Sequence, residues 1–296
     1  MDRTPRRFPF VWLDVFTSRP LEGNQLAVFT DARGLSDEEM QRIAKETNLS
    51  ETTFLLPRED AVERERGVRV RIFTVDEELP FAGHPTLGTA TVIRQRTRAE
   101  TVYLDLDAGK IPVSFREVDG MDFGEMRQRD PEFRAIHAAG DVAAACGLAL
   151  EDIDTAYPIQ TVSTGLEFTI VPVRTVAALQ NLKFEWNRAA PYLERTQGRF
   201  FYFIARGGVN TWADVHVRMI FYNGEDPATG SAAGCCASWM VRHGYSASEE
   251  KVVIEQGVEC RRTSKLTVSA TREQDRVTNV RVGGNAVLVM QGEMQL

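Results

Sequence analysis

Residues 70–84, VRIFTVDEELPFAGH, and residues 217–231, VRMIFYNGEDPATGS, decide the architecture of this 296-residue chain. Arg71 meets Arg218, Glu78 meets Glu225, Pro80 meets Pro227 and Gly83 meets Gly230; 218−71, 225−78, 227−80 and 230−83 all give 147. His84 stands where Ser231 stands in the second copy. Each copy reads as a strand, a loop carrying Glu-x-Pro-x-x-Gly, and a helix rich in small residues. A repeat spanning about half the chain predicts two lobes of like build, related by a pseudo-two-fold axis with a ligand cleft between them.

The flanks extend the pattern. Residues 10–16, 26–29, 52–56 and 68–73 have strand character, and residues 86–94 suit a helix. Another helix opens at Ser36, with Glu39 three positions on as its capping-box partner and Met40, Ile43 and Ala44 at helical spacing. Between residues 119 and 130 Gly, Asp, Met and Arg replace the strand pattern. The expected division is therefore 1–122 and 123–296, with the last strand free to return to the first lobe.

Composition narrows the function. Hydrophobic residues make up 43% and charged residues 26%, ordinary for a folded protein. The formal net charge of −7 argues against nucleic-acid binding, which needs clustered Lys and Arg. The apolar run at residues 232–241 is well short of the ~20 residues that span a bilayer, and the N-terminal stretch lacks a signal-peptide core. Cys146, Cys235, Cys236 and Cys260 form no CxxC pair, so reduced thiols in a cytoplasmic protein are expected. His84, His137, His216 and His243 are isolated, which predicts no metal site. No P-loop or G-x-G-x-x-G is present, so no nucleotide cofactor is indicated.

The residues that can carry chemistry lie in matched loops. Gly83 and Gly230 each head a helix, where unpaired backbone N–H groups and the helix dipole favour a carboxylate; either glycine could equally serve a tight turn. Glu51, in Asn48-Leu49-Ser50-Glu51-Thr52, stands at the start of an apolar strand. It reads either as an acid/base group with burial-raised pKa or as a surface glutamate. Asp226 can accept from a substrate amine or simply turn the chain before Pro227, and Ser231 reads as a helix N-cap.

Together PLEGNQLAVF, MQRIAKETNLSETTFLL, VRIFTVDEELPFAGHPTLGTA and GEDPATGSAAG resemble the PhzF-like family of phenazine-biosynthesis isomerases over nearly the whole chain. The resemblance implies an α+β fold of the diaminopimelate epimerase type, two lobes each with a mixed sheet curled around a central helix. It implies isomerisation of trans-2,3-dihydro-3-hydroxyanthranilate or a related small amino or hydroxy carboxylate, without metal or organic cofactor, in a homodimer. Glu51 matches the family's catalytic glutamate and would move a proton between two ring carbons on one face. His84 and Asp226 match groups that hold the hydroxyl and amino substituents. Asn24, Gly83, Gly230 and Ser231 fall on substrate-pocket positions. The chain departs from the family at Gly23-Asn24-Gln25, Thr74-Val75-Asp76 and Arg262-Thr263-Ser264, where a proline is usual. An epimerase or racemase of the same fold, using Cys235, and a non-catalytic carboxylate-binding protein are the alternatives.

Overall fold

The computed structural model describes residues 5–296 apart from 197 and 223. The chain forms two compact units, Met1–Met126 with Gly283–Leu296, and Arg127–Val282.

In the first unit, β1 (Arg7–Val15) pairs antiparallel with β2 (Asn24–Phe29), and β2 runs parallel to β3 (Thr52–Leu55). Helix α1 (Asp37–Thr47) joins β2 to β3. Its capping box forms as expected: Glu39 N–H donates to Ser36 Oγ at 3.2 Å, and Ser36 N–H to Glu39 Oε2 at 2.9 Å. Asn48 ends it in the left-handed region at φ 51°, which turns the chain so that Glu51 leads straight into β3. Next come the short α2 (Asp60–Arg66) and β4 (Val68–Phe73), which is antiparallel to β3 and forms a hairpin with β5 (Glu78–Leu79).

Helix α3 (Gly83–Thr97) packs against β1, β2, β3, β6 (Thr101–Leu106) and β7 (Gly109–Val118). It is buried continuously from Gly83 to Ile93, so it has no polar stripe and its threonines must bond internally. Thr86 and Thr91 donate to the carbonyls of Ala82 and Leu87, and Thr89 pairs with Thr53 at 2.9 Å. Pro85 fits the first turn because no partner exists there for its missing N–H. Gly88 allows close approach to the sheet; a Cβ there would sit 2.5 Å from Leu26 Cδ2.

β4 runs parallel to β6, and β6, β7 and β8 (Met121–Arg127) follow as antiparallel neighbours. The region read as a break in strand pattern thus itself holds a strand, whose Phe123 and Met126 are buried. The chain's last strand (Arg276–Gln295) pairs with both β1 and β8, which closes the circuit of strands around α3.

The second unit repeats this plan. β9 (Glu132–His137) flanks β10 (Ile159–Ser163), and β10 is antiparallel to β11 (Glu167–Pro172). β11 is parallel to β12 (Phe200–Arg206), which is antiparallel to β13 (Val215–Phe221). β13 forms a hairpin with β14 (Gly224–Glu225) and runs parallel to β15 (Val252–Gln256), whose antiparallel neighbour is β16 (Ser264–Glu273). The order of senses from β10 to β16 is the same as from β1 to β7.

Helices α4 (Ala139–Cys146), α5 (Val176–Gln180) and α6 (Trp186–Thr196) precede the central α7 (Gly230–Arg242). Helix α7 packs on β10, β11 and β16, and Cys235 and Cys236 are fully buried in it, as small core residues should be. No helix among the described residues is long and apolar enough to cross a membrane.

The repeat found in the sequence is also a repeat of register. Phe73 pairs with Glu78 in the first hairpin and Ile220 with Glu225 in the second, again 147 positions on. In both units the arginine grips the glutamate with a two-pronged bond: Arg71 to Glu78 at 2.6 and 2.6 Å, and Arg218 to Glu225 at 2.8 and 2.8 Å. The shared Arg and Glu therefore pin the loop that leads into each central helix.

Candidate active site

Three expected residues converge in the first unit. Asn24 starts β2, Glu51 precedes β3, and His84 is the second residue of α3. Parallel pairing of β2 and β3 brings Asn24 and Glu51 to neighbouring strand ends. Glu51 Oε2 lies 3.6 Å from His84 Nε2, and His84 Nδ1 lies 3.3 Å from Asn24 Nδ2. The His84 and Asn24 side chains are buried, and Glu51 is 16% exposed.

Burial pushes the His84 pKa down to about 3, while a hydrogen bond with the Gln25 backbone pulls weakly the other way. At neutral pH the ring is uncharged, so it holds one N–H donor and one lone pair. A neutral ring 3.6 Å from a carboxyl group makes no fixed ion pair. The gap can tighten around a third polar group. Helix α3 has no side-chain cap at Ala82, so its first-turn donors stay available for an anion beside this pair.

The remaining expected residues lie in the second unit. Asp226 follows β14 and its backbone N–H donates to Met219 O at 2.9 Å. Its side chain is buried and its Oδ2 accepts from Thr229 Oγ1 at 2.5 Å. Gly230 is the first residue of α7, and Ser231 lies inside the first turn rather than capping it. The cap position belongs to Thr229, whose hydroxyl is turned to Asp226, so α7 also starts without a side-chain cap. Gln128 Nε2 donates to Gly230 O at 2.8 Å and Gln128 Oε1 accepts from Thr164 at 2.7 Å.

Sequence reasoning missed Thr229, Gln128 and also Gln256, whose side-chain amide donates to Asp226 O and Thr229 Oγ1. Thr229 sits inside the quoted loop and could have been found as a hydroxyl between Asp226 and a helix start. Gln256 and Gln128 are distant in sequence and gave no local signal. Cys235 offers no thiolate, since burial lifts its pKa to about 11 against partial relief from Thr164. Among the described residues no group of three or more His, Cys, Asp and Glu side chains is arranged to hold a metal ion.

Comparison with known proteins bears on the family and the fold. The profile of the PhzC-PhzF family, phenazine biosynthesis-like proteins, matches residues 13–292. A trans-2,3-dihydro-3-hydroxyanthranilate isomerase from Pseudomonas aeruginosa is 34% identical over 289 residues, 97% of this chain and 99% of that protein. A phenazine biosynthesis protein of the PhzF family from Bacillus anthracis superposes with a TM-score of 0.88 at 27% identity, covering 98% of this chain and 100% of that one. A structure described as a predicted epimerase, from Pseudomonas aeruginosa, gives 0.82 at 35% identity, covering 97% and 99%. The α+β fold, the family and the isomerase class of its named relatives are those expected from the sequence. This chain belongs to the PhzC-PhzF family of phenazine biosynthesis-like proteins.

Proposed function

We propose that the chain is a cofactor-independent isomerase that shifts a proton within a small amino or hydroxy carboxylate, trans-2,3-dihydro-3-hydroxyanthranilate or a close analogue. The observation that carries this reading is the partly buried Glu51 carboxyl 3.6 Å from a ring that burial keeps neutral. Glu51 takes the proton from one substrate carbon and returns it to another on the same face, so no net proton is consumed. Neutral His84 donates to or accepts from a substrate heteroatom, held in place through Asn24. Asp226 accepts from an amino group, and the uncapped starts of α3 and α7, with Gly83, Gly230 and Ser231, supply donors for the carboxylate.

The test is turnover of that dihydro-hydroxyanthranilate in deuterated buffer, followed by absorbance and mass. Wild type should convert it with deuterium entry. Glu51→Gln keeps the shape but cannot carry a proton, and should lose about 10²–10⁴-fold in kcat. Turnover retained in Glu51→Gln removes the assigned base. Homodimerisation, expected with this reading, is checked by light scattering.

A further inference from the structure

We propose that Gln256, acting through Thr229, is a positioning residue that orients the Asp226 carboxylate for the reaction. This rests on Asp226 touching substrate, as proposed above. Gln256 ends β15 and is fully buried. Its Nε2 donates to Asp226 O at 2.8 Å and to Thr229 Oγ1 at 2.9 Å. Its Oε1 accepts from Thr229 N–H at 3.1 Å and from Tyr202 O–H at 3.2 Å. Both amide hydrogens and both lone pairs are therefore in use. The amide cannot be reversed, because its NH₂ would then face the Thr229 N–H.

That fixed orientation settles the next hydrogen. Thr229 Oγ1 accepts from Gln256, so its own hydrogen goes to Asp226 Oδ2, 2.5 Å away. Asp226 receives a donor on one oxygen and is anchored by its own backbone carbonyl at the same time. A donated hydrogen bond favours the ionised carboxylate and sets its plane. The loop is held close enough for this because Gly257 follows at φ +78°; a Cβ there would stand 2.6 Å from Pro227 O.

The first unit is an internal control against a purely structural role. The counterparts of Asp226 and Thr229, 147 positions back, are Leu79 and Ala82. Val215 pairs with Ile254 as Val68 pairs with Leu104, so the counterpart of Gln256 is Leu106. The same hairpin, loop and helix start are thus built without any of the three polar groups. The network exists only where the carboxylate stands.

The experiment follows the Asp226 carboxyl carbon by NMR in protein labelled at aspartate, assigned with Asp226→Asn, alongside steady-state kinetics. Thr229→Val is isosteric and removes both the hydrogen donated to Asp226 and the oxygen that accepts from Gln256, while the bond from Gln256 to Asp226 O stays. Asp226 should titrate at higher pH than in wild type, the acid limb of the pH–rate profile should move up with it, and kcat/KM should fall about tenfold. Thr229→Ser should restore both. Gln256→Met should act in the same direction; if it does not fold, Thr229→Val carries the test alone. An unchanged Asp226 titration in Thr229→Val overturns the proposal. If wild type turns over no substrate, the functional reading fails, and the NMR titration still decides this one.

Discussion

Acidification should destabilise the protein through His84, by an amount the structure sets. An imidazole in the unfolded chain takes up a proton near pH 6.5, and the buried ring only near 3. Below pH 6.5 the unfolded state therefore binds a proton that the folded state refuses. The contribution is whole above 6.5 and is lost as pH falls from 6.5 toward 3. At ~1.4 kcal/mol per unit, the full interval is worth about 5 kcal/mol, and the part above pH 4.5 about 3 kcal/mol. That is a large share of the ~5–15 kcal/mol that holds a typical protein folded. The assay is urea unfolding of wild type and His84→Asn between pH 7 and 4.5, with carbon-13 NMR of the ring. The stability gap between the two proteins should shift by about 3 kcal/mol against wild type as pH falls, with the ring still neutral at pH 5. Parallel stability curves and a ring titrating near 6.5 would refute the desolvation argument. The consequence reaches the proposed chemistry, since a charged ring 3.6 Å away would draw Glu51 into an ion pair and take away the proposed base.

Further outcomes follow from buried charge in both units. Arg218→Met should cost about 3–5 kcal/mol in denaturant unfolding, because it strands Glu225 and takes a donor from three main-chain carbonyls, Leu179 O, Gln180 O and Leu182 O. Arg71→Met should cost less, as Glu78 is 27% exposed against 13% for Glu225; equal losses would contradict this. His216 behaves oppositely to His84: burial disfavours its charge, but Glu255 at 2.8 Å and Glu259 at 3.0 Å prevail and raise its pKa to about 9. Its contribution is whole below pH 6.5 and is lost as pH rises through 9, so His216→Gln should flatten the alkaline fall in thermal stability.

Much of the scaffold was legible because it rests on local chemistry. The Ser36 capping box, the strands around Arg71 and Arg218, and the helices after Gly83 and Gly230 follow from residues adjacent in sequence. Glu51, His84 and Asn24 were legible through motifs, although nothing local shows that they meet. Their meeting depends on parallel pairing of β2 with β3 across an intervening helix. The burial of His84 was hidden for a related reason. Helix α3 is enclosed from Gly83 to Ile93, and its threonines dilute the apolar signal while bonding within the core. Gln256 was hidden altogether, because it lies 27 positions from Thr229 and only the β13–β15 pairing carries it to the loop.

The register also bears on how many acid/base groups the fold supplies. Phe54 pairs with Arg71 in the first unit as Phe203 pairs with Arg218 in the second. Counting back three residues on each strand sets Glu51 against Phe200. Phe200 is buried among Phe168, Trp186 and Phe221, with the Arg199 guanidinium 5.6 Å from its ring centre, and has no ionisable group of its own. The duplicated scaffold thus carries a carboxylic acid at the strand start in one copy and a core aromatic in the other. Inversion at a stereocentre needs a donor opposite the acceptor, and Cys235 is buried as a protonated thiol. A single carboxyl that lifts and returns a proton on one face needs no such partner, and that is the chemistry this asymmetry favours.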